Sequence, residues 1–315
     1  MLTSMTLLAL ATSAVVSADA ASTSVFPAPF TRTLTLQTPL LNGTDVLVLQ
    51  QLLRRAPGCA ALSPAPSIFD ADTAKLLACF QNSTTLDPPS AERVLRELSS
   101  DGVVDDGQPA SATGHLFKLL IPVHGNRSIE TEAVLLDGSG AELMRLPVRT
   151  HGHNVDAAGR PINDRSWPDF HDDGCPNSTG TRGCVGLNAF SSYGMTPTGV
   201  SEIDLNTPED DPRLYGPFDV LRFVSGRSGN AGFLLPRVRN GILVHTGAWA
   251  NASGWTPDQP MPNSAGCVHT HPSALQRLGQ LLKSRCGVVA RPNTDGRLPY
   301  PYSPQGLAVV YEVAS

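Results

Sequence analysis

The hydrophobic period changes once along this chain, and that change rules out a single repetitive architecture. From Thr44 to Arg55 the apolar residues Val46, Leu49, Leu52 and Leu53 recur at i, i+3, i+6 and i+7, one helical face, with Thr44 or Asp45 available as cap. Asp70 or Asp72 can cap a second helix with Leu76, Leu77 and Phe80 on one face, and Ser90 a third running through Val94, Leu95 and Leu98. Residues 101–114 are polar and aperiodic and read as a linker, with Asp105 and Asp106 in a solvated turn. Beyond them the pattern becomes that of strands.

"HLFKLLIPV" is followed by "IETEAVLLDGSGAELMRLPVRT", where two β-rich runs flank Asp137-Gly138-Ser139-Gly140, a hairpin signal. "GILVHTG" and the terminal "GLAVVYEV" read as buried strands, and one clear helix runs from about Pro272 to Ser284. The expected fold is therefore α+β in two domains. A small three-helix domain at 40–100 and the linker at 101–114 precede a mostly-β, sandwich- or barrel-like domain with one main helix at 115–315. No internal repeat of fixed period interrupts this division.

Residues 1–20 carry a short apolar run ending in Ala18-Asp19-Ala20 and read as a signal peptide, so the mature protein is expected to be secreted. No segment reaches the ~20 apolar residues a membrane helix needs. A net charge of -5 provides no broad basic field for nucleic acid or an anionic membrane. Six cysteines in a secreted chain suggest disulfides. Cys59 and Cys79 flank the loop between the first two helices, where a bridge would staple a unit too small to be held by its core. Cys175 and Cys184, nine apart, would pin a long Gly/Asp/Asn/Pro-rich insertion at 156–191. Sequons at Asn42, Asn82, Asn126, Asn177 and Asn251 are candidate glycosylation sites.

The chemistry concentrates in "NSAGCVHTHPS". Cys267 lies just ahead of the helix beginning near Pro272, and a helix N-terminus favours the thiolate, the reactive form of cysteine. The small residues Ser264, Ala265 and Gly266 allow a carbonyl to approach, and backbone N–H groups at such a bend can hold an oxyanion. His245, at the end of the strand "GILVHTG", offers a base on a rigid element. The competing use of Cys267 is a disulfide to Cys286, but a helix of about a dozen residues, ~18 Å long, separates them, whereas a bridge needs Cα atoms within ~7 Å. A zinc site drawn from His151, His153, His171, His269 and His271 is the other rival, although no His-Glu-x-x-His or Cys-x-x-Cys pattern is present. No glycine-rich phosphate loop appears.

Two resemblances follow from these residues. "GTDVLVLQQLLRRAPG…IFDADTAKLLACFQ", residues 43 to 81, resembles the peptidoglycan-binding domain 1 family, which implies a module that docks glycan or stem peptide. "TPTG", "IDL", "HTG" and "SAGCVH" look like the successive motifs of the L,D-transpeptidase (YkuD-type) catalytic domain. That likeness implies Cys267 as nucleophile, His245 as general base and Thr246 as the residue whose carbonyl orients the imidazole. It further implies that Ser264, Ala265, Gly266, Val268 and His269 shape the substrate and oxyanion site, that the partner is peptidoglycan, and that no cofactor or metal is required. Two departures stand out. His269 occupies the place where the family has Arg or Asn, and "ANASGW" lengthens the loop between His245 and Cys267. The alternative they keep open is a non-catalytic peptidoglycan-binding protein on the same fold.

Overall fold

The computed structural model describes residues 26–59, 62–127, 129–153, 187–251, 261–294 and 296–313. The expected signal peptide, the Cys175–Cys184 pair, His171 and Asn177 lie outside these residues.

Three helices open the structure: α1 (Thr44–Leu53), α2 (Ala71–Gln81) and α3 (Pro88–Leu98). Asp70 caps α2 by accepting from the Thr73 N–H. Two expected caps are corrected. The first helix begins after Gly43 with no side-chain cap, because the Asp45 carboxylate pairs instead with Arg32 at 2.8 Å. The third begins earlier than Ser90. Asp87 is its cap and accepts from the Ser90 N–H, since Pro88 and Pro89 set the backbone for the first turn. Cys59 and Cys79 are bridged, with Cα atoms 5.9 Å apart.

The rest is built on eight strands: β1 (Phe117–Val123), β2 (Thr131–Asp137), β3 (Glu142–Arg149), β4 (Gly199–Asn206), β5 (Val220–Ser228), β6 (Leu243–His245), β7 (Val268–Thr270) and β8 (Gly306–Glu312). They close into a barrel in the order β1-β2-β3-β7-β6-β5-β4-β8. Two pairings, β1 with β8 and β6 with β7, are parallel, so the barrel is mixed. The β2–β3 turn is the one the sequence signalled, with the Asp137 carboxylate accepting from the Ser139 and Ala141 N–H groups. The side-chain period of two fills the interior. Phe117, Leu119, Ile121 and Val123 of β1 meet Ala133 and Leu135, Leu146 and Val148, Ile203 and Leu205, Val244, Val268, Ala308 and Val310. Short helices α4 (Pro212–Tyr215) and α5 (Gly229–Leu234) lie between strands, and α6 (Pro272–Arg285) adds Leu275, Leu278 and Leu282 to the same core.

The helical core does not end with its helices. Phe190 and Leu234, from the barrel part of the chain, are buried within it, and Phe233 and Val238 pack against it. The stretch expected as a linker is also tied down. Asp101 accepts from the Thr198 hydroxyl and from the Asn230 N–H, at 2.8 and 2.7 Å. Asp105 and Asp106, expected in a solvated turn, also hold the buried Lys118 ammonium at 2.8 and 3.0 Å, with Asp106 still exposed. A buried ammonium is costly without such partners, and its position on β1 obliges the preceding chain to stay close. Asn42 and Asn82 are exposed, Asn126 is half-buried, and Asn251 closes a 3-10 turn at Ala248–Asn251. Among the described residues no helix is long and apolar enough to cross a membrane.

Candidate active site

The site is organised by the two shortest strands. Val244 pairs with Val268 and His245 with His269, so the register sets Leu243 beside Cys267. Val244 and Val268 point into the barrel core. The alternation of a strand therefore turns Leu243, His245, Cys267 and His269 to the outer face. From the spacing of neighbouring strands and the rise per residue, the Cα atoms of Cys267 and His245 lie diagonally, roughly 8 Å apart. Val268, expected to help shape the site, contributes its backbone there and its side chain to the core.

This outer patch is covered, not open. Cys267 is 8% exposed and His245 4%. The Tyr215 ring at the end of α4 meets His245 edge-on at 5.1 Å, and the buried Trp249 lies 5.7 Å from His269. The imidazoles of His245 and His269 are themselves in edge contact at 4.8 Å. A shallow cleft lined by residues that include Arg222, Asn240, Gly241, Arg297 and Tyr300 borders the patch at Gly241.

Hydrogen bonds fix the protonation pattern. His245 Nδ1 lies 2.5 Å from the Thr246 carbonyl oxygen. A carbonyl can only accept, so Nδ1 carries the hydrogen and Nε2 presents its lone pair. His269 Nδ1 stands in the same relation to the Pro262 carbonyl, at 2.8 Å. The Cys267 sulfur accepts from the Leu243 N–H at 3.4 Å and donates to the Gly241 carbonyl at 3.6 Å. It shares no hydrogen bond with His245 in this resting arrangement.

Burial keeps both groups neutral. Desolvation pushes the His245 pKa down to about 4, opposed by the Thr246 carbonyl. It pushes the Cys267 thiol up to about 11, opposed by the Leu243 N–H and by the Arg239 and Arg222 charges. His269 is held well below the ordinary imidazole value by desolvation and by the neighbouring His245. A histidine kept neutral by the fold takes up its proton less readily than in the unfolded chain. The stability it contributes is fully present above pH 6.5 and is lost as the pH falls toward 4. For His245 that amounts to roughly 2 to 3 kcal/mol between pH 7 and 4.5. Urea unfolding at the two pH values should show the native protein losing that much more than a His245→Gln variant; equal losses would mean His245 is not buried neutral.

The loop before Cys267 is braced. Ser264 Oγ donates to the Cys267 carbonyl at 2.6 Å and accepts from the Gly266 N–H at 3.0 Å. The Ser264 N–H reaches the His151 carbonyl at 3.1 Å, and the Thr196 hydroxyl donates to the Gly266 carbonyl at 2.9 Å. Gly266 adopts φ 109°, a conformation that L side chains rarely adopt, and a Cβ there would lie 1.9 Å from Arg239 Nη2. Ala265 is exposed, but its carbonyl accepts from Arg239 at 3.0 Å.

One expected source of thiolate stabilisation is corrected. Cys267 does not lie at a helix N-terminus, because residues 268–270 are drawn into β7 by pairing with β6 and α6 begins only at Pro272. A helix dipole acts within its first turn, so it does not reach the thiol across that strand. Cys267 and Cys286 are both free, which removes the disulfide alternative. Among the described residues no three His, Cys, Asp or Glu side chains gather as a metal site needs. Sequence reasoning missed Tyr215, Trp249 and Arg239, and named Thr196 only within "TPTG". Arg239 and Arg237 differ little as sequence, yet the first is buried and the second exposed.

No protein-family model matches the chain, and no curated protein matches it. A solved structure, an L,D-transpeptidase from Xylanimonas cellulosilytica, is similar at 14% identity over 86% of this chain and 94% of that one, with a TM-score of 0.28. A score of that size does not establish a common fold.

Proposed function

We propose that this chain is a secreted cysteine acyltransferase that acts on peptidoglycan stem peptides, with Cys267 as nucleophile and His245 as general base. One observation carries the reading. A thiol and a neutral imidazole lie on the same face of adjacent parallel strands, the imidazole fixed by Thr246 with its Nε2 lone pair free to accept a proton. The thiol sits in a braced, low-dielectric loop, where positioned N–H groups act most strongly on developing charge.

In this reading a stem peptide enters along the cleft at Gly241 and displaces that carbonyl as the thiol's partner. The thiol proton passes to His245 Nε2 as sulfur attacks the carbonyl that joins the diamino acid to the terminal D-alanine. Collapse of the tetrahedral intermediate expels D-alanine, protonated by His245, and leaves a thioester on Cys267. An amine of a neighbouring stem then takes the acyl group to give a cross-link, or water takes it to give net L,D-carboxypeptidase activity. No step calls for a cofactor. The bridged Cys59–Cys79 pair and the exposed sequon residues Asn42 and Asn82 support a secretory glycoprotein. The three helices are assigned the docking of glycan or stem peptide.

The second reading is a non-catalytic peptidoglycan-binding protein on the same fold, favoured by the burial of Cys267 and the high pKa of its thiol. Intact mass after incubation with a carbapenem, and separately with a muropeptide tetrapeptide, separates the two. The expected result is a stoichiometric adduct on the native protein and none on Cys267→Ala. No adduct on either, with binding to insoluble peptidoglycan retained, would establish the binder.

A further inference from the structure

Arg239 is a buried cation that no carboxylate among the described residues pairs with. It is 5% exposed and lies in the connection between α5 and β6. Nη1 donates to the carbonyls of Ala189 and Met195, at 3.0 and 2.5 Å, and Nη2 to those of Gly194 and Ala265, both at 3.0 Å. All four partners are neutral backbone oxygens, and among the described residues no carboxylate pairs with the guanidinium. Burial lowers the guanidinium pKa to about 10, and a negative charge on Cys267 opposes that shift. The guanidinium also lies against the Cα of Gly266, where a Cβ would sit 3.0 Å from Arg239 Cζ, so the charge is seated directly beside the residue that precedes the nucleophile.

We propose that Arg239 is a positioning residue for the nucleophile: it supplies the positive charge against which the Cys267 thiol ionises, and its fork holds the 194–195 and 264–266 loops around the sulfur. The inference rests on the reading of Cys267 as nucleophile.

Chemistry requires such a charge here. A thiolate in a low-dielectric site is expensive unless a cation offsets it, and a cation held only by neutral dipoles is stabilised in turn when an anion forms next to it. The other groups around the sulfur do not supply that charge. Arg222 is committed to Glu209 in a buried ion pair, and the two act on Cys267 with opposite sign. His245 and His269 are kept neutral by burial, and Tyr215 is a neutral phenol. The helix dipole begins a strand away.

The test is a pH titration of the ultraviolet thiolate absorbance, taken as the difference between each protein and its Cys267→Ala counterpart, which does not depend on reagent access. Arg239→Gln is expected to move the midpoint up by about one unit, so that iodoacetamide alkylation of Cys267, followed by peptide mass, slows about tenfold between pH 7 and 10. Arg239→Lys should keep the midpoint within about half a unit of the native value, although lysine cannot remake the fork. A purely structural arginine would make the two variants equally damaging. An unchanged midpoint in Arg239→Gln, or a lysine variant that moves as far as glutamine, would overturn the proposal.

If Arg239→Gln does not fold, Cys267→Asp and Cys267→Asn on intact Arg239 give the same answer. The aspartate form should melt at or above the asparagine form at pH 7, and a lower Tm would refute the charge pairing. Because the thiolate titration needs no substrate, it stands even if the carbapenem adduct fails to form.

Discussion

Replacing His245 by glutamine should slow acylation of Cys267 by about 10²- to 10⁴-fold, the usual contribution of a positioned general base. Glutamine is neutral and close to the ring in size, so the buried site stays filled, but it offers no basic lone pair. His269 faces the same patch with the same tautomer, its Nδ1 committed to the Pro262 carbonyl. Desolvation, His245 and Arg149 hold His269 well below the ordinary imidazole value. His269→Gln is therefore expected to cost less than tenfold. Single-turnover acylation of the three proteins by a carbapenem, followed by mass, decides the matter; a larger loss in His269→Gln would exchange the two roles. The proton must travel from a sulfur now bonded to Leu243 and Gly241, so the same experiment run against pH is informative. With a base near 4 and a thiol near 11, the acylation rate should be level from about pH 5 to 9 and fall only as His245 protonates.

What the sequence discloses of this molecule follows the strength of its periodic signals. The three helices and the strands β1, β2, β3 and β8 are long enough for the period of 3.6 or 2 to declare itself. Strand β6 is legible as the apolar run "GILVHTG", but β7 has three residues, too few for alternation, and is a strand through its pairing with β6 and β3. That is why Cys267 was expected at a helix end and is found at a strand start. Cys267, His245 and the Ser264 brace stand in contiguous motifs and could be named. Arg239 could not: its role comes from burial against loops 45 residues back and 26 ahead, and no local pattern encodes either contact. The same holds for the aromatic cover, since Tyr215 and Trp249 reach the histidines from connections with no period of their own.

The boundary expected at residues 101–114 yields the other large effect. A chain lacking residues 1–98 should not persist as a soluble folded barrel. Phe190, at 2% exposure, and Leu234, at 0%, are buried by the helices they would lose. Exposing a large apolar side chain costs about 1.5 to 3 kcal/mol, so these two alone account for roughly 3 to 6 kcal/mol, against a total stability for a domain of about 5 to 15. Phe233 stacks on Phe190 at 6.1 Å and lies under the Arg55 guanidinium, and it would be uncovered with them. The polar seam fails as well. Asn230 donates to the Ser99 carbonyl and the Thr198 hydroxyl and accepts from Arg55, so removing the helices leaves a buried amide without a partner for its oxygen. Size-exclusion chromatography of the 99–315 fragment should show aggregation or an expanded chain, and calorimetry of the intact protein one cooperative transition. A monomeric fragment with a native-like melt would mean that the helices are a separable module attached through a linker. The result matters for the site because α5, which packs on the helices, leads directly to Arg239, and Arg239 holds the loop that carries Cys267. A helical unit that shares a core with α5 fixes one end of that path, so loss of the helices is expected to abolish acylation even at temperatures where some barrel structure survives.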